Sequence, residues 1–313
     1  MGEDGSPRSG VLTRRPRPVW SHLAARRDQG VHTVGFTDTV LGRPIAVYPG
    51  GVHEDDVEQY LERLGLQRST IRVDLGGLTV LQHAHLANVA FENLDIVFCG
   101  EVPHDRSAAF DKIVRGRRGG WCFELNGVFA QLLETLGFDV LLLGAAVLLD
   151  GPSTVIDHLA LEVSGGPMGL EPHFVDVGFG DGSVRPLALN RNGPQDGGNA
   201  QYELFASPQG TTLARHVEGV PEAQLRFKRV AHAFDDFAPV ASAMQRDPHK
   251  HWSTKPFATR LLDTDGTGRV TLTGSRLDVA RSGASTITEV GTDEWDAALD
   301  DWFSMERPGP SPS

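Results

Sequence analysis

Only two cysteines stand in the 313 residues of this chain, and one of them is placed to react. Cys122 lies in Arg118-Gly119-Gly120-Trp121-Cys122-Phe123-Glu124-Leu125-Asn126, behind two glycines and ahead of a helical pattern. Leu125, Val128, Phe129, Leu132, Leu133 and Leu136 recur at i, i+3, i+4, i+7, i+8 and i+11, the signature of one buried face, and Gly137 closes the run as a C′ residue. The thiol is therefore expected in the first turn of that helix or just before it. There the unpaired N–H groups and the positive end of the dipole favour thiolate, and Arg117 and Arg118 add positive charge, so the expected pKa lies below that of a free cysteine. The two glycines would admit close approach of a substrate and a positive φ. A buried structural cysteine is the alternative for either thiol, and Cys99, in Ile96-Val97-Phe98-Cys99-Gly100, fits it better than Cys122 does.

A nucleophilic thiol needs a base and a group to orient the base. His158 opens the alternating run Asp157-His158-Leu159-Ala160-Leu161-Glu162-Val163, a strand pattern. Asp176 stands inside the apolar run Phe174-Val175-Asp176-Val177-Gly178-Phe179-Gly180, where a carboxylate is costly to bury unless it is paired. Two adjacent strands would set Asp176 against one imidazole nitrogen while the other faces Cys122, an arrangement of nucleophile, base and orienter. Asp157 and Asp150 remain as orienters with less physical reason behind them.

At these residues the sequence resembles the arylamine N-acetyltransferase family, marked by an Arg-Gly-Gly-x-Cys-x-Glu-x-Asn motif, a His-Leu strand and a Val-Asp-Val-Gly-Phe-Gly strand in that order. The likeness runs from about residue 52 to 304. It takes in Phe91-Glu92-Asn93-Leu94-Asp95 upstream and Arg269 to Leu277 downstream. It implies a catalytic triad of Cys122, His158 and Asp176, with acetyl-CoA or another acyl-CoA as co-substrate, no bound cofactor, and a small amine as acceptor. Phe91 and Phe123 are expected to line the substrate cleft, and Phe179, Gly180 and His249 to meet the acyl donor. Glu92 and Arg118 are expected to form a buried ion pair holding the cysteine loop. The chain departs from the family at Ala90, where proline is usual, and at Asp157 before the triad histidine. It departs again in a longer turn over 164–173 and in the segment Met244–Phe257, which aligns only loosely. That last departure keeps a second reading open, an amide synthase of the same fold that takes its acyl chain from a carrier protein and closes a macrolactam. A cysteine hydrolase is a third.

The elements that must carry these residues follow from periodicity and from the resemblance together. Residues 51–139 read as helices, with the catalytic cysteine among them. From 140 to 240 the pattern changes to short apolar or alternating strands with Gly and Pro turns, a small antiparallel barrel that would hold His158 and Asp176. Residues 241–313 show strand signals around Ala258–Leu262, Val270–Leu272 and Thr286–Val290 and a helix from Asp293 to Phe303, the α/β lid that the resemblance implies. The fold class expected is α+β, with a cysteine-protease-like core. Residues 1–50 are rich in Pro, Gly and Arg without a sustained period and read as a poorly ordered extension; Val52, at the break, would serve as a GTG-encoded start.

Composition excludes several functions. The net charge of −12 argues against a general nucleic-acid binder, and the seven arginines of residues 1–50 leave the rest more acidic still. A local basic cluster of Arg226, Lys228, Arg229, His249, Lys250, His251 and Lys255 remains for coenzyme A phosphates, each of which alone reads as a solvated surface charge. The longest apolar run, Val140–Leu149, falls far short of the ~20 residues a membrane span needs. Two cysteines outside any C-x-x-C pair, and no apolar signal core at the N-terminus, fit a reduced cytoplasmic setting. The His83/His85 and His249/His251 pairs lack further ligands at metal spacing, and no metal site is expected.

Overall fold

The computed structural model describes residues 54–262, 267–281 and 284–309; the segment 1–50 and Val52 lie outside the described residues. The chain opens with α1 (Glu54–Arg63), α2 (Leu75–Asn88), a two-residue strand β1 (Phe91–Glu92), α3 (Leu94–Cys99), α4 (Arg106–Phe110) and α5 (Cys122–Leu136). Asp74 and Asp105 start α2 and α4 by the same device, a carboxylate accepting the N–H three residues on, at 2.9 and 2.8 Å. α4 runs into a π-helical turn, Asp111–Arg115, and the loop that follows delivers Cys122 to the first position of α5. Every apolar residue of the expected α5 stripe is buried, and Gly137 ends the helix at φ 102°.

Eight antiparallel strands come next: β2 (Asp139–Val147), β3 (His158–Gly165), β4 (Leu170–Val175), β5 (Leu187–Ala188), β6 (Gln195–Asp196), β7 (Gln201–Ser207), β8 (Gly210–Val217) and β9 (Val220–Phe227). Their order is β5-β4-β3-β2-β9-β8-β7-β6. The edge strands β5 and β6 meet through Gln195, whose amide bonds both the N–H and the C=O of Ala188, so the barrel is nearly closed. The long apolar stretch in β2 and β3 has a reason: these strands are buried on both faces. Leu142, Leu159, Leu161 and Val163 pack with α5 and the other helices, while Leu143, Ala145 and Ala160 point into the barrel core with Phe174 and Phe227.

The last part holds α6 (Ala238–Arg246), α7 (His251–Thr254), β10 (Phe257–Leu261), β11 (Arg269–Thr273), β12 (Arg276–Arg281), β13 (Ala284–Glu289) and α8 (Thr292–Phe303). β1 leaves the helical region and pairs with β10 as the edge of this second antiparallel sheet. Trp295, Leu299 and Phe303 of α8 close over Ala258, Val270 and Leu272 of the sheet. The molecule is thus α+β: helices, a nearly closed barrel, and a C-terminal sheet with its helix.

Several local expectations change. The strand pattern stops at Phe227; α6 and α7 occupy the loosely aligned segment, and α6 is anchored by buried Gln245, whose side chain pairs with both backbone groups of Val102. β12 is an additional strand, between two that the periodicity marked. The turn over 164–173 is short after all, because β3 continues to Gly165 and β4 begins at Leu170. Asp176 sits one residue past the end of β4 instead of inside a strand.

Candidate active site

Because β3 and β4 are antiparallel neighbours, the start of one lies beside the end of the other, and this brings His158 to Asp176. His158 Nε2 and Asp176 Oδ2 are 2.7 Å apart, both side chains buried. With Nε2 taken by the carboxylate, Nδ1 is the nitrogen left for Cys122, whose sulfur acts on the ring electrostatically. Burial works against a charged imidazole here, but the Asp176 carboxylate and the Cys122 sulfur outweigh it and push the His158 pKa up to about 10.

Asn126, one helical turn beyond Cys122, ties the three elements together. Its Nδ2 donates to Asp176 Oδ1 at 2.9 Å and to the Leu159 carbonyl at 2.6 Å, and its Oδ1 accepts the Val177 N–H at 3.0 Å. Asp176 Oδ1 also takes the Gly178 N–H at 2.8 Å, so the carboxylate has no freedom to leave the ring. Gly178 must be glycine: a Cβ there would stand 2.6 Å from Asn126 Nδ2 and 2.8 Å from Cys122 Cα. The i, i+4 spacing of Cys122 and Asn126 was the available signal for this clamp, since those positions share a helix face.

The glycines before Cys122 do a different job from the one expected. Neither Gly119 nor Gly120 has positive φ; the strained residue is Arg117, at φ 52°. Gly119 lets the loop lie against β1, where a Cβ would fall 2.4 Å from the Ala90 carbonyl oxygen. The Gly120 N–H donates to that carbonyl and the Glu92 N–H donates to the Gly120 carbonyl. The arginines are not free to polarise the thiol either. Arg117 is exposed, and Arg118 is spent on Glu92 Oε1 at 3.0 Å and Asp95 Oδ1 at 3.2 Å. The expected Glu92–Arg118 pair is therefore present inside a larger cluster, to which Lys112 adds contacts with Asp95 at 2.7 Å, Glu124 at 3.0 Å and Glu92 at 3.6 Å. Asp95 is held below the usual carboxylate range: burial raises its pKa, but Lys112 and Arg118 lower it further.

Cys122 and His158 open into a cavity of about 220 Å³. Phe91, Trp121, Phe179 and Trp252 form its aromatic walls; Asp150, Ser153, Asp157 and Lys250 supply the polar side. The Phe179 ring stands edge-on to His158, centroids 5.6 Å apart, and Phe91 stands edge-on to Trp252 at 5.7 Å. Phe123 lies elsewhere: it is buried against Trp121 and Phe237, and Cys122, not Phe123, faces the opening. Gly180 is buried at φ 83° just beyond Phe179. His249 is exposed and is not among the lining residues, whereas its neighbour Lys250 is. Of the other basic candidates, Arg229 is held by Glu162 at 2.6 and 2.7 Å, and Lys228 and Lys255 are exposed. Trp252, which the sequence reading did not single out, is set by Asn93, whose Nδ2 donates to the Trp252 and Lys255 carbonyls.

Cys99 reverses its expectation. It is exposed at the end of α3 while Cys122 is buried, and partial burial and the Asp95 carboxylate raise its thiol pKa. His85 lies in the helical core. Among the described residues no cluster of His, Cys, Asp or Glu could hold a metal ion, and no helix is long and apolar enough to cross a membrane.

Comparison with known proteins completes the picture. A family model described as N-acetyltransferase matches residues 74–308. An arylamine N-acetyltransferase of Mycolicibacterium smegmatis is 33% identical over 236 residues, 74% of this chain and 84% of the relative. The pineal gland isozyme of arylamine N-acetyltransferase from Gallus gallus is 42% identical over 129 residues, 40% of this chain, and the match spans 43% of the relative's length. Among solved structures, the Mycobacterium marinum arylamine N-acetyltransferase in complex with CoA superposes with a TM-score of 0.72 at 28% identity, covering 79% of this chain and 92% of that one. Sequence match and superposition both extend across the helices, the barrel and the second sheet, and this chain belongs to the arylamine N-acetyltransferase family.

Proposed function

We propose that the chain transfers an acetyl or other acyl group from acyl-CoA to an arylamine, arylhydrazine or aryl hydroxylamine through an acyl-Cys122 intermediate. The observation that carries this reading is a thiol at a helix N-terminus, sharing the wall of an aromatic-lined cavity with an imidazole that is itself locked to a buried carboxylate. His158 takes the proton of Cys122, and the sulfur attacks the thioester carbonyl. The carbon–sulfur bond to CoA breaks, and the departing sulfur collects the proton from His158. The amine then attacks acyl-Cys122, His158 accepts its proton, and the Cys122 sulfur leaves and is reprotonated. Asp176 holds the ring orientation and stabilises the imidazolium in both halves. The raised pKa of His158 suits it to take the proton of Cys122 and hold it until the departing CoA sulfur collects it. The N–H groups of Cys122 and Phe123, at the open start of α5, are the donors available to the developing oxyanion.

The CoA-bound relative supports acetyl-CoA as co-substrate. The sparse cysteine usage supports a reduced, cytoplasmic setting. No nucleic-acid, membrane or protein partner enters the reaction. The amide-synthase reading keeps one observation: Met244, Lys250 and Trp252, from the segment that departs from the family, line the cavity, so acyl donor and acceptor meet walls particular to this chain.

Varying acyl-CoA and amine together should give parallel double-reciprocal lines. Without amine, CoA release should stop after one equivalent per site, and an arylamine should restore turnover. Sustained release at the same rate without amine would mean a thioesterase. Reaction only with a carrier-bound acyl chain would mean the amide synthase.

A further inference from the structure

We propose that Lys112 is a positioning residue for the nucleophile: its ammonium ties Glu124, which fixes the Gly120–Trp121 peptide leading into Cys122, to the carboxylates of Glu92 and Asp95. Glu124 stands two residues after Cys122 in the first turn of α5 and is buried. Its Oε2 accepts the Trp121 N–H at 3.2 Å, the donor next to the cysteine. Both of its oxygens lie on Lys112 Nζ, at 3.1 and 3.0 Å. Lys112 belongs to the π-helical turn that precedes the cysteine loop.

The cluster also grips the other side of that loop. Glu92 Oε2 accepts the Leu94 N–H at 2.6 Å, and the Glu92 N–H donates to the Gly120 carbonyl. Three carboxylates thus converge on two cations. Arg118 reaches Glu92 and Asp95, while among the described residues Glu124 has only Lys112 as a cationic partner. Three N–H donors on one small nitrogen match three carboxylates arriving from different directions, which a planar guanidinium would not. Burial already raises the pKa of Glu124, with Lys112 opposing and Glu92 adding to the rise. Removing Lys112 would leave that carboxylate buried without compensation, so Glu124 would take up a proton or swing away, and the Gly120–Trp121 peptide leading into Cys122 would lose its anchor. A displacement of about an ångström there costs on the order of 100-fold in rate.

The inference rests on Cys122 as the nucleophile, and both can be read in one experiment. Alkylation by iodoacetamide is followed by peptide mapping in a Cys99→Ser background, so that only Cys122 responds. Lys112→Met should slow alkylation of Cys122 at pH 7 and kcat by tenfold or more, and Lys112→Arg should not restore them. Lys112→Met/Glu124→Gln should recover most of both, because a glutamine carbonyl accepts the Trp121 N–H without a charge to compensate. The melting deficit of Lys112→Met should widen from pH 5.5 to pH 8: a carboxyl whose folded pKa is raised loses stability as pH rises through it. The double variant should show no such widening. If Lys112→Met does not fold, the double variant is compared with Glu124→Gln alone, and a further tenfold loss would overturn the proposal, since Lys112 would then act apart from Glu124. A Lys112→Met enzyme with lowered melting temperature but unchanged alkylation and kcat would also overturn it, making the lysine structural only. A wild-type Cys122 that does not react would sink the reading of the nucleophile along with it.

Discussion

His158 has an aspartate on either side of its assignment, and the two carboxylates do different work. Asp176 Oδ2 holds Nε2 of the ring, while Asp157 spends Oδ1 on the Val147 N–H at 2.9 Å, extending the β2–β3 ladder by a side chain. Asp176→Asn should therefore cut turnover by as much as ~10⁴-fold with the fold retained, as loss of an orienter does, and Asp157→Asn should cost far less. The reverse ranking of kcat would move the orienter to Asp157. Asn126→Ala removes a donor from Asp176 and from the Leu159 carbonyl and an acceptor from Val177; stability should fall by about 1–3 kcal/mol for each buried group left unpaired. Unchanged melting and unchanged kcat in that variant would show the clamp to be dispensable. Cys122 should be alkylated before Cys99 in the folded protein, even though Cys99 is the exposed thiol, because accessibility counts for less than the imidazole beside Cys122. Peptide mapping that finds Cys99 labelled first would reverse this.

At the scale of elements, the site exists where three chain ends meet: the start of α5, the start of β3 and the end of β4. None of these could be placed by its own periodicity beyond a residue or two, and Asp176 shows why. Its apolar neighbours Val175 and Val177 continue the strand pattern, yet the ladder stops at Val175 because Asn126 takes the Val177 N–H and Gly178 turns onto Cys122. Glu92→Gln tests the cluster behind the cysteine loop. Glu92 is fully buried, and its loss leaves Arg118 with Asp95 alone, so the cost should sit near the lower end of the range for a broken buried pair, about 3 kcal/mol. A melting temperature equal to that of the parent would mean that Asp95 suffices.

Across the whole molecule, two histidines set opposite limits on stability. His85 is fully buried beside Phe129 and Tyr60, neither ring nitrogen has a hydrogen-bond partner, and burial followed by the charge of Arg63 lowers its pKa to about 3. Its folded pKa lies below the unfolded value near 6.5, so stability is lost as pH falls from 6.5 toward 3. For His158 the folded pKa is raised to about 10, so its contribution is complete below about 6.5 and is lost as pH rises toward 10. Melting curves from pH 4 to pH 10 should show a dome. His85→Phe should flatten its acid side, by about 2–4 °C for each kcal/mol recovered, and Asp176→Asn its alkaline side. Curves parallel to wild type would remove these groups from the account.

The local chemistry was legible in the amino-acid order because it depends on near neighbours. The α5 stripe and its glycine stop, the strand alternation after His158 and the cost of burying Asp176 are all set within a few residues of one another. The pairing of Glu92 with Arg118, 26 residues apart, came from the family resemblance and not from spacing. Which residues finish the site depends on contacts between distant segments, where sequence spacing carries no metric. β1 joins a sheet whose other strands lie more than 160 residues away, Trp252 enters the cavity through Asn93, and Lys112 meets Glu124 across the loop that joins the π turn to α5. Tertiary packing likewise exchanged the environments of the two cysteines, exposing Cys99 and burying Cys122, since burial is a property of what covers a residue and not of the residues beside it in the chain.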